Sequence, residues 1–325
     1  MRQKFAVSAQ PQQVAIATRG LTKRFDRHIA VNDLNLEIKS GEVYGLIGAN
    51  GAGKTTLIKM LAGLEEPTLG EIYLDGEILA RDKNNQAIKR RIGYLPDDYP
   101  LYEDLTVWDY LDYFARLYGL DSSRRRQRIY EVLELIQLEA KRKSLIINLS
   151  RGMKQRLSLA RTILHEPIIL LLDEPVSGLD PISRRQFREI IQVLQEAGMT
   201  ILISSHILSD LAEMCTAVGI MELGFLIESD SLEAICSRLA TTQIIIKTLG
   251  DLATLQRELR KNPLVREWEV IPGTKRIKAN FVGGELESAE LLRSLINQGI
   301  SLTEFQYTQE DLESIFLKLG HQQAN

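Results

Sequence analysis

The sequence is poor in cysteine, in long apolar runs and in net charge. Its two cysteines, Cys215 and Cys236, stand in no metal-binding spacing and imply no disulfide framework, which fits a reducing compartment. The longest apolar runs, such as Ile168 to Leu172, are about five residues, whereas a membrane-spanning helix needs roughly 20. The net charge of −3 and the pI near 6.0 lack the basic footprint of a nucleic-acid-binding protein. We therefore expect no membrane-spanning helix and no nucleic-acid partner.

What the sequence does contain is enough material for a large domain and a smaller one. Apolar residues make up 44% of the 325 residues, which suffices for a hydrophobic core. Residues 1–13 carry Arg2 and Lys4 and no acidic residue. A targeting peptide is one interpretation of this segment, but it has no apolar h-region. We predict a mobile N-terminal tail over residues 1–13.

A glycine-rich stretch at residues 48–55 fits the pattern G-x-x-x-x-G-K-[ST] at every fixed position. It follows an apolar run that predicts a buried strand, residues 43–47, and precedes a predicted helix that ends near Leu64. In this context backbone N–H groups converge on phosphate at a helix N-terminus. Lys54 is suited to bind the β- and γ-phosphates, and the Thr55 hydroxyl is suited to bind Mg²⁺. The stretch predicts a nucleoside triphosphate site.

The pattern around this loop predicts an α/β domain over residues 14–235. Residues 168–172 are a continuous apolar run, typical of a central strand in a parallel sheet that is covered on both faces, and residues 200–205 predict another buried strand. Residues 14–18 alternate as an edge strand does, and the chain then turns out of it at Gly20. Residues 105–158 show helical spacing, which predicts a helical subdomain over about residues 100–160. We expect a mainly parallel sheet with helices.

Beyond about Ser229 the pattern changes. A strand at 243–248, a helix at 251–261, two strands at 265–271 and 276–281, a helix at 286–297 and a strand at 300–307 follow one another. This β-α-β-β-α-β order predicts a small α+β ferredoxin-like domain over residues 243–320. A final helix is predicted at residues 311–319.

Two acidic residues, Asp173 and Glu174, follow the apolar run that ends at Leu172. Asp173 is suited to hold Mg²⁺ beside the phosphate loop, and Glu174 to act as the general base on the attacking water. Because many parallel strands end in an acidic residue, the pair is informative only together with the loop.

Three further motifs complete a series. Residues 149–156 read Leu-Ser-Arg-Gly-Met-Lys-Gln-Arg, residues 177–180 read Ser-Gly-Leu-Asp, and residues 204–206 read Ser-Ser-His. With the phosphate loop and the acidic pair, their order resembles that of the nucleotide-binding subunits of ABC transporters. The resemblance extends from about Val14 to Ile235. It implies a P-loop ABC ATPase core that binds ATP and Mg²⁺.

The resemblance implies roles for individual residues. Phe25 would stack on adenine, although one aromatic residue can equally belong to a core. His206 would contact the γ-phosphate beside the catalytic Glu174. Ser150 and Gly152 would cap the γ-phosphate bound by a second subunit, and Asp180 would cross that interface. The residues expected around the ATP phosphates are Gly48, Ala49, Asn50, Gly51, Ala52, Gly53, Lys54, Thr55 and Thr56.

This sequence departs from the family pattern at three positions. Ala49 stands where proline is frequent, which is harmless because the loop acts through its backbone. Asp97 replaces the usual glutamine; its carboxylate can still bind Mg²⁺, and Asp98 is an alternative. Met153 replaces the fifth signature residue. We expect ATPase activity to be retained, because Asp173 and Glu174 are both present.

One phosphate loop and one signature per chain imply that a working pair needs a second subunit, either a second copy or a paralogue, and of these we expect a homodimer. Closure of the pair on ATP would drive a separately encoded membrane permease at the cytoplasmic face of the cell membrane. The C-terminal residues 310–319 are similar to those of ABC-2 type exporter ATPases. The alternative interpretation of this region is an accessory domain that stabilises the dimer or regulates its closure.

Two other functions stay open on the sequence. One is a soluble ABC ATPase of translation, cofactor assembly or DNA repair, although neither a second ATPase core nor a coiled-coil insertion is present. The other is a low-turnover, nucleotide-dependent regulator, which rests only on Asp97 and Met153. Because specificity in this family lies in the permease, no residue here identifies the transported substance.

Overall fold

A computed structural model describes residues 13–80, 85–207, 211, 213–239 and 242–309. The chain divides into two units: the first ends at Glu233 and the second begins at Ala234. Of the predicted N-terminal tail, only Gln13 lies among the described residues, and the predicted helix at 311–319 lies outside them. No helix in the described ranges is long and apolar enough to cross a membrane.

The first unit contains two sheets and the helices that connect and cover them. Its strands are β1 (Val14–Phe25), β2 (His28–Lys39), β3 (Val43–Ile47), β4 (Leu69–Leu74), β5 (Glu77–Ile78), β6 (Ile92–Leu95), β7 (Ile169–Leu172), β8 (Thr200–Ser205), β9 (Ala217–Glu222) and β10 (Phe225–Ser231). Its helices are α1 (Lys54–Leu61), α2 (Gln86–Lys89), α3 (Val107–Leu117), α4 (Ser122–Leu135), α5 (Arg151–Ile163) and α6 (Pro181–Glu196), and α7 (Leu232–Leu239) spans the boundary.

The larger sheet has six strands in the order β10-β9-β3-β8-β7-β6. All its pairings are parallel except the β9–β10 hairpin. Every residue of β3, β7 and β8 is buried, because helices cover one face of a parallel sheet and a second layer covers the other. The prediction of a mainly parallel sheet is confirmed.

The smaller sheet is antiparallel, with the order β2-β1-β4-β5. The prediction of an edge strand that ends before Gly20 is wrong on two counts. β1 continues to Phe25 through a shift in register between Thr18 and Leu21, where Gly20 has a φ of 57°. It also lies between β2 and β4, because alternation reports one buried face and does not say how many strands pair with it.

One apolar core of the first unit joins the two sheets. Ile16, Leu36 and Ile38 of the antiparallel sheet are in one buried cluster with Leu46 of β3 and Leu57 of α1. The strand and the helix on either side of the phosphate loop are therefore anchored in the same apolar layer. This packing fixes the positions of the two ends of the loop.

The helical region contains α3, α4 and α5, with two short 3₁₀ turns at Glu139–Lys141 and Ile146–Asn148. Two buried arginines join α4 to α5 in opposite directions. Arg128 of α4 donates to the carbonyls of Ile163 and Leu164 at the end of α5, and Arg156 of α5 donates to that of Ile136 at the end of α4. Each arginine satisfies carbonyl groups that the end of a helix leaves without a helical partner.

The second unit is built from β11 (Thr242–Thr248), α8 (Leu252–Lys261), β12 (Val265–Ile271), β13 (Arg276–Phe281), α9 (Glu285–Asn297) and β14 (Leu302–Gln309). Its sheet has the order β12-β13-β11-β14, antiparallel at every pairing. Both helices pack through leucines on the face of the sheet that carries Ile244, Ile246 and Ile277. The predicted ferredoxin-like β-α-β-β-α-β arrangement is observed.

Candidate ATP-binding and hydrolysis site

The phosphate loop connects the end of β3 to the start of α1 and is closely packed on both sides. A Cβ atom at Gly48 would collide with the carbonyl oxygen of Met221, and one at Gly53 with that of Ala30. Gly53 also has a φ of 104°, in the left-handed region that side chains other than glycine rarely adopt. The loop therefore needs glycine at both positions to fit between β2 and β9.

The ammonium group of Lys54 is buried over the centre of this loop. Its Nζ donates to the carbonyl oxygens of Gly48, at 2.6 Å, and Ala49, at 3.3 Å, and lies 3.5 Å from a carboxylate oxygen of Glu174. The Lys54 side chain is only 6% exposed, so its charge is compensated by these acceptors instead of bulk water. The positive charge stands where an anionic ligand of the loop would be bound.

Residues at the carboxyl ends of three parallel strands lie close together. β3, β8 and β7 are neighbours in the sheet, and Thr55 Oγ1 donates to Asp173 Oδ1 at 3.2 Å. The Ser204 hydroxyl, at the end of β8, donates to the same carboxylate oxygen at 2.7 Å. Asp173 is 1% exposed, so these hydrogen bonds stabilise its charge in a buried place.

Glu174 extends from this point towards the cavity. Its backbone N–H donates to Ser204 Oγ at 3.0 Å, and its φ of 48° is unusual for a residue other than glycine. One carboxylate oxygen faces Lys54, and the other lies 2.8 Å from His206 Nδ1. The backbone and both oxygens are thus held, which fixes the direction of the carboxylate.

The loop opens onto a cavity of about 340 Å³. The lining residues are Phe25, His28, Ala30, Asn50, Gly51, Ala52, Gly53, Lys54, Thr55, Thr56, Asp97 and Glu174. Phe25 is 43% exposed, so it is a cavity residue and not a core residue. The Lys23 ammonium lies 4.8 Å from the centre of the Phe25 ring and stabilises it by a cation–π contact.

The oxygen atoms at this site suit a hard cation such as Mg²⁺. Thr55, Asp173 and Asp97 carry them, and burial together with the charges of Asp173 and Glu174 raises the pKa of the Asp97 carboxyl. Within the described ranges no group of three or more His, Cys, Asp or Glu side chains could hold a metal by itself. A cation here would share its coordination with phosphate oxygens, as Mg²⁺ commonly does in nucleotide sites.

The remaining predicted site residues form a second group at the starts of α5 and α6. Ser150 is the N-cap of α5 and accepts the Met153 N–H at 3.3 Å, and Asp180 is the N-cap of α6 and accepts the Ser183 N–H at 3.0 Å. The Ser183 hydroxyl also donates to Asp180, which lowers the pKa of that carboxyl. None of Ser150, Gly152 and Asp180 is among the residues that line the cavity.

Sequence reasoning missed several residues near the cavity, among them Ser204, His28 and Lys23. Ser204 was noted only as part of a motif, and neither His28 nor Lys23 was assigned a role. A polar residue at the end of an apolar strand was the available signal for Ser204, but its contact with Asp173 depends on β7 and β8 being neighbours. No local signal identified His28, which reaches the cavity because β1 and β2 form a hairpin.

Comparisons with known proteins agree with this geometry. Residues 31–177 match the family model described as ABC transporter. The bacitracin transport ATP-binding protein BcrA of Bacillus licheniformis is 35% identical over 306 residues, which cover 94% of this chain and 96% of that protein. The linearmycin resistance ATP-binding protein LnrL of Bacillus subtilis (strain 168) is 30% identical over 305 residues, or 94% of this chain and 97% of that protein.

Solved structures show the same fold. The ATP-binding subunit of an ABC transporter superimposes with a TM-score of 0.62 at 31% identity, and covers 70% of this chain and 93% of its own. The ATP-binding cassette MJ0796, in a dimeric post-hydrolysis state bound to ADP and Pi, gives a TM-score of 0.60 at 25% identity, with 67% of this chain and 98% of its own covered. These matches support the transporter interpretation and not the soluble alternatives. The chain belongs to the family of ABC transporter ATP-binding subunits, and it is the ATP-hydrolysing subunit of a transporter.

Proposed function

We propose that this chain powers an ABC-2 type exporter as a homodimer bound to a separately encoded permease at the cytoplasmic face of the cell membrane. BcrA and LnrL, whose names concern bacitracin transport and linearmycin resistance, match over 94% of the chain, including its second unit. Transport that confers resistance is most simply explained by export. The same coverage favours a shared role for the C-terminal domain.

One observation supports the proposed chemistry above all others: the Glu174 carboxylate is held between Lys54 and His206 at the edge of the phosphate loop. A general base must be fixed within reach of the water that it deprotonates. In our proposal Glu174 takes a proton from the water that attacks the γ-phosphate. His206 orients the carboxylate and contacts the γ-phosphate.

The residues around the cavity would share the binding of ATP. Phe25 stacks on adenine, and the backbone N–H groups of residues 48–56 bind phosphate oxygens. Lys54 would exchange its carbonyl partners in the loop for the β- and γ-phosphates. Thr55, Asp173 and Asp97 would hold Mg²⁺, which when bound neutralises charge on the phosphates.

The second group of site residues supports the proposed dimer. Ser150, Gly152 and Asp180 lie at the starts of two helices and do not line the cavity of their own chain. In the proposed mechanism they close on ATP bound by the other copy. ATP then joins the two copies, and loss of the γ-phosphate contacts after hydrolysis lets them separate.

The test uses Glu174→Gln, which keeps the size of the side chain and removes the base. We expect turnover to fall by about 10²–10⁴-fold while ATP binding persists, because general-base catalysis contributes about that much. With ATP and Mg²⁺ the variant should run as a dimer in size-exclusion chromatography. The double variant Glu174→Gln/Lys54→Ala is the control and should stay monomeric.

The same variant identifies the partner. We expect a tagged Glu174→Gln chain, purified from detergent-solubilised native cells with ATP and Mg²⁺, to bring with it a polytopic membrane protein in comparable amount. Mass spectrometry of the purified complex makes the measurement. Recovery with soluble partners only, or as a bare dimer, would contradict the proposal of a permease complex.

A further inference from the structure

An arginine at the start of α5 lies across the loop that precedes α6. Nη2 of Arg151 donates to the carbonyl oxygen of Ser177 at 3.0 Å. The guanidinium covers the backbone at Gly178, where a Cβ atom would stand 2.5 to 2.6 Å from Nη2, Cζ and Nη1. Gly178 has a φ of 66°, so the backbone favours glycine there, and a larger residue would also displace the guanidinium that lies against it.

A second contact joins the same two elements one residue further along. A Cβ atom at Gly152 would collide with the hydroxyl of Ser183 in the first turn of α6. That hydroxyl donates to the Asp180 carboxylate at 2.6 Å. The backbone of Gly152 therefore packs directly on the serine that holds Asp180 in its N-cap position.

These two contacts join the start of α5 to the loop that precedes α6. Ser150 begins α5, Asp180 begins α6, and Arg151 and Gly152 connect them from either side of the loop at 177–180. The arginine contact is a charge-assisted hydrogen bond with a planar donor, a strong kind of side-chain tie. The starts of the two helices are therefore held against each other.

The charge of Arg151 also acts on the residues that follow β6. It lowers the pKa of Asp97, in opposition to burial and to Asp173 and Glu174, which raise it. It acts in the same direction on the pKa of Tyr99. The charge of one exposed arginine thus acts on the segment after β6, while its guanidinium contacts the loop before α6.

We infer that Arg151 is a positioning residue that joins the signature segment, residues 150–152, to the loop that carries Asp180, so that both meet the ATP of the second copy as one surface. Arg151 acts through Ser177 and Gly178 and does not itself need to touch ATP. The inference rests on the proposed dimer, in which these segments close on the other subunit.

The test is carried out in the Glu174→Gln chain, in which the ATP-bound dimer accumulates. Added Arg151→Ala should weaken ATP-dependent dimerisation by about ten-fold or more, since a hydrogen bond to a charged group is lost. The Kd of the monomer for ATP, measured by fluorescence of a nucleotide analogue, should change less than about two-fold because the phosphate loop is untouched. If Arg151 only supported the fold of the first unit, its loss would weaken dimerisation and ATP binding together.

Further variants define the contact from both sides. Arg151→Lys keeps the charge but loses the planar fork, so it should restore only part of the dimerisation. Gly178→Ala displaces the guanidinium and also strains the backbone at a φ of 66°, so it should weaken dimerisation at least as much as Arg151→Ala does. The double variant should be no worse than Gly178→Ala alone, because both substitutions remove the same contact. Arg185→Ala, which removes an arginine with a 79% exposed side chain from α6, is the control and should dimerise as the parent does.

Several outcomes would overturn the inference. Dimerisation of Arg151→Ala equal to that of the parent would do so, as would a double variant whose two effects add fully. A matching loss of ATP affinity would also overturn it, since the effect would then belong to the folding of the first unit. If the Glu174→Gln parent itself fails to dimerise, the proposed dimer is wrong and this inference is lost with it.

Discussion

The two units contain sheets of opposite character, and only one of them gathers reactive side chains. In the six-stranded sheet β3, β8 and β7 run parallel, so the residues after them meet at one edge: the phosphate loop, Asp173 and the residues at the end of β8. In the sheet of the second unit every neighbour runs the other way. Its strand ends therefore alternate between opposite edges.

The difference teaches that strand direction, more than composition, decides where a site forms. Both units alternate strands with amphipathic helices, and both place isoleucine on the covered face of the sheet. On the second sheet Arg276 of β13 pairs with Glu304 of β14 at 2.7 Å, an ion pair across β11. Parallel neighbours, by contrast, bring the residues that follow several strands to one edge of the sheet. The following variants test this contrast, from the largest expected effect to the smallest.

Replacement of Lys54 by alanine should abolish ATP binding and hydrolysis, because Lys54 supplies the buried cation over the loop. Isothermal titration calorimetry with ATP and Mg²⁺ measures the loss. Lys247→Ala on β11 of the antiparallel sheet is the control and should bind ATP normally. Persistent affinity in Lys54→Ala would contradict the assignment of the phosphate loop.

Replacement of Ile246 by alanine should destabilise the second unit by about 2–5 kcal/mol, since this side chain is fully buried in its core. The Kd for ATP should not change, because the nucleotide cavity is lined by residues of the first unit. Urea unfolding and ATP titration make the two measurements. Ile245→Ala, at the next position on the other face of β11, should cost less; an equal cost would contradict the observed alternation.

Replacement of Ser204 by alanine should reduce stability by about 1–3 kcal/mol, because Asp173 and the Glu174 N–H both lose a buried partner. We expect turnover to fall with it, since this hydroxyl fixes the point from which the Glu174 carboxylate extends. Ser205→Ala is the matched control, since among the described residues its hydroxyl bonds the backbone of Ile207. Equal turnover in the two variants would argue against a role for Ser204 at the site.

Replacement of Asp97 by asparagine should give the smallest effect. We expect the free energy of unfolding at pH 7 to rise by less than about 1 kcal/mol, because the Asp97 carboxyl is partly exposed. Burial and neighbouring carboxylates raise its pKa above the usual 3.8, so the folded chain holds this proton more tightly than the unfolded chain does. The contribution of the protonated Asp97 carboxyl to stability is therefore lost as the pH rises through its pKa in the folded chain.

The gain from Asp97→Asn should consequently shrink as the pH is lowered towards 3.8. Thermal unfolding without nucleotide, at several pH values, makes the measurement. Asp98→Asn removes the same charge one residue away and serves as the control. A gain in Tm that does not depend on pH would contradict this interpretation.

The sequence alone determined the phosphate loop, the α/β class of the first unit and the element order of the second. These features are local: a glycine loop between strand and helix is contiguous in the chain, and the periodicity of apolar residues reports which face of each element is buried. The series of motifs that resembles ABC transporter subunits is likewise written in order along the chain. Family and activity followed from it and are confirmed by the relatives.

Only the tertiary structure decided which of these residues meet. In the folded chain β1 lies inside its sheet, the Ser204 hydroxyl contacts Asp173, and the Arg151 guanidinium contacts the backbone at Gly178. Such contacts depend on strand order and direction, which result from the packing of the whole unit. A local pattern records burial and backbone preference but carries no information about the neighbour, so residues whose role is to hold another residue were visible only in the folded chain.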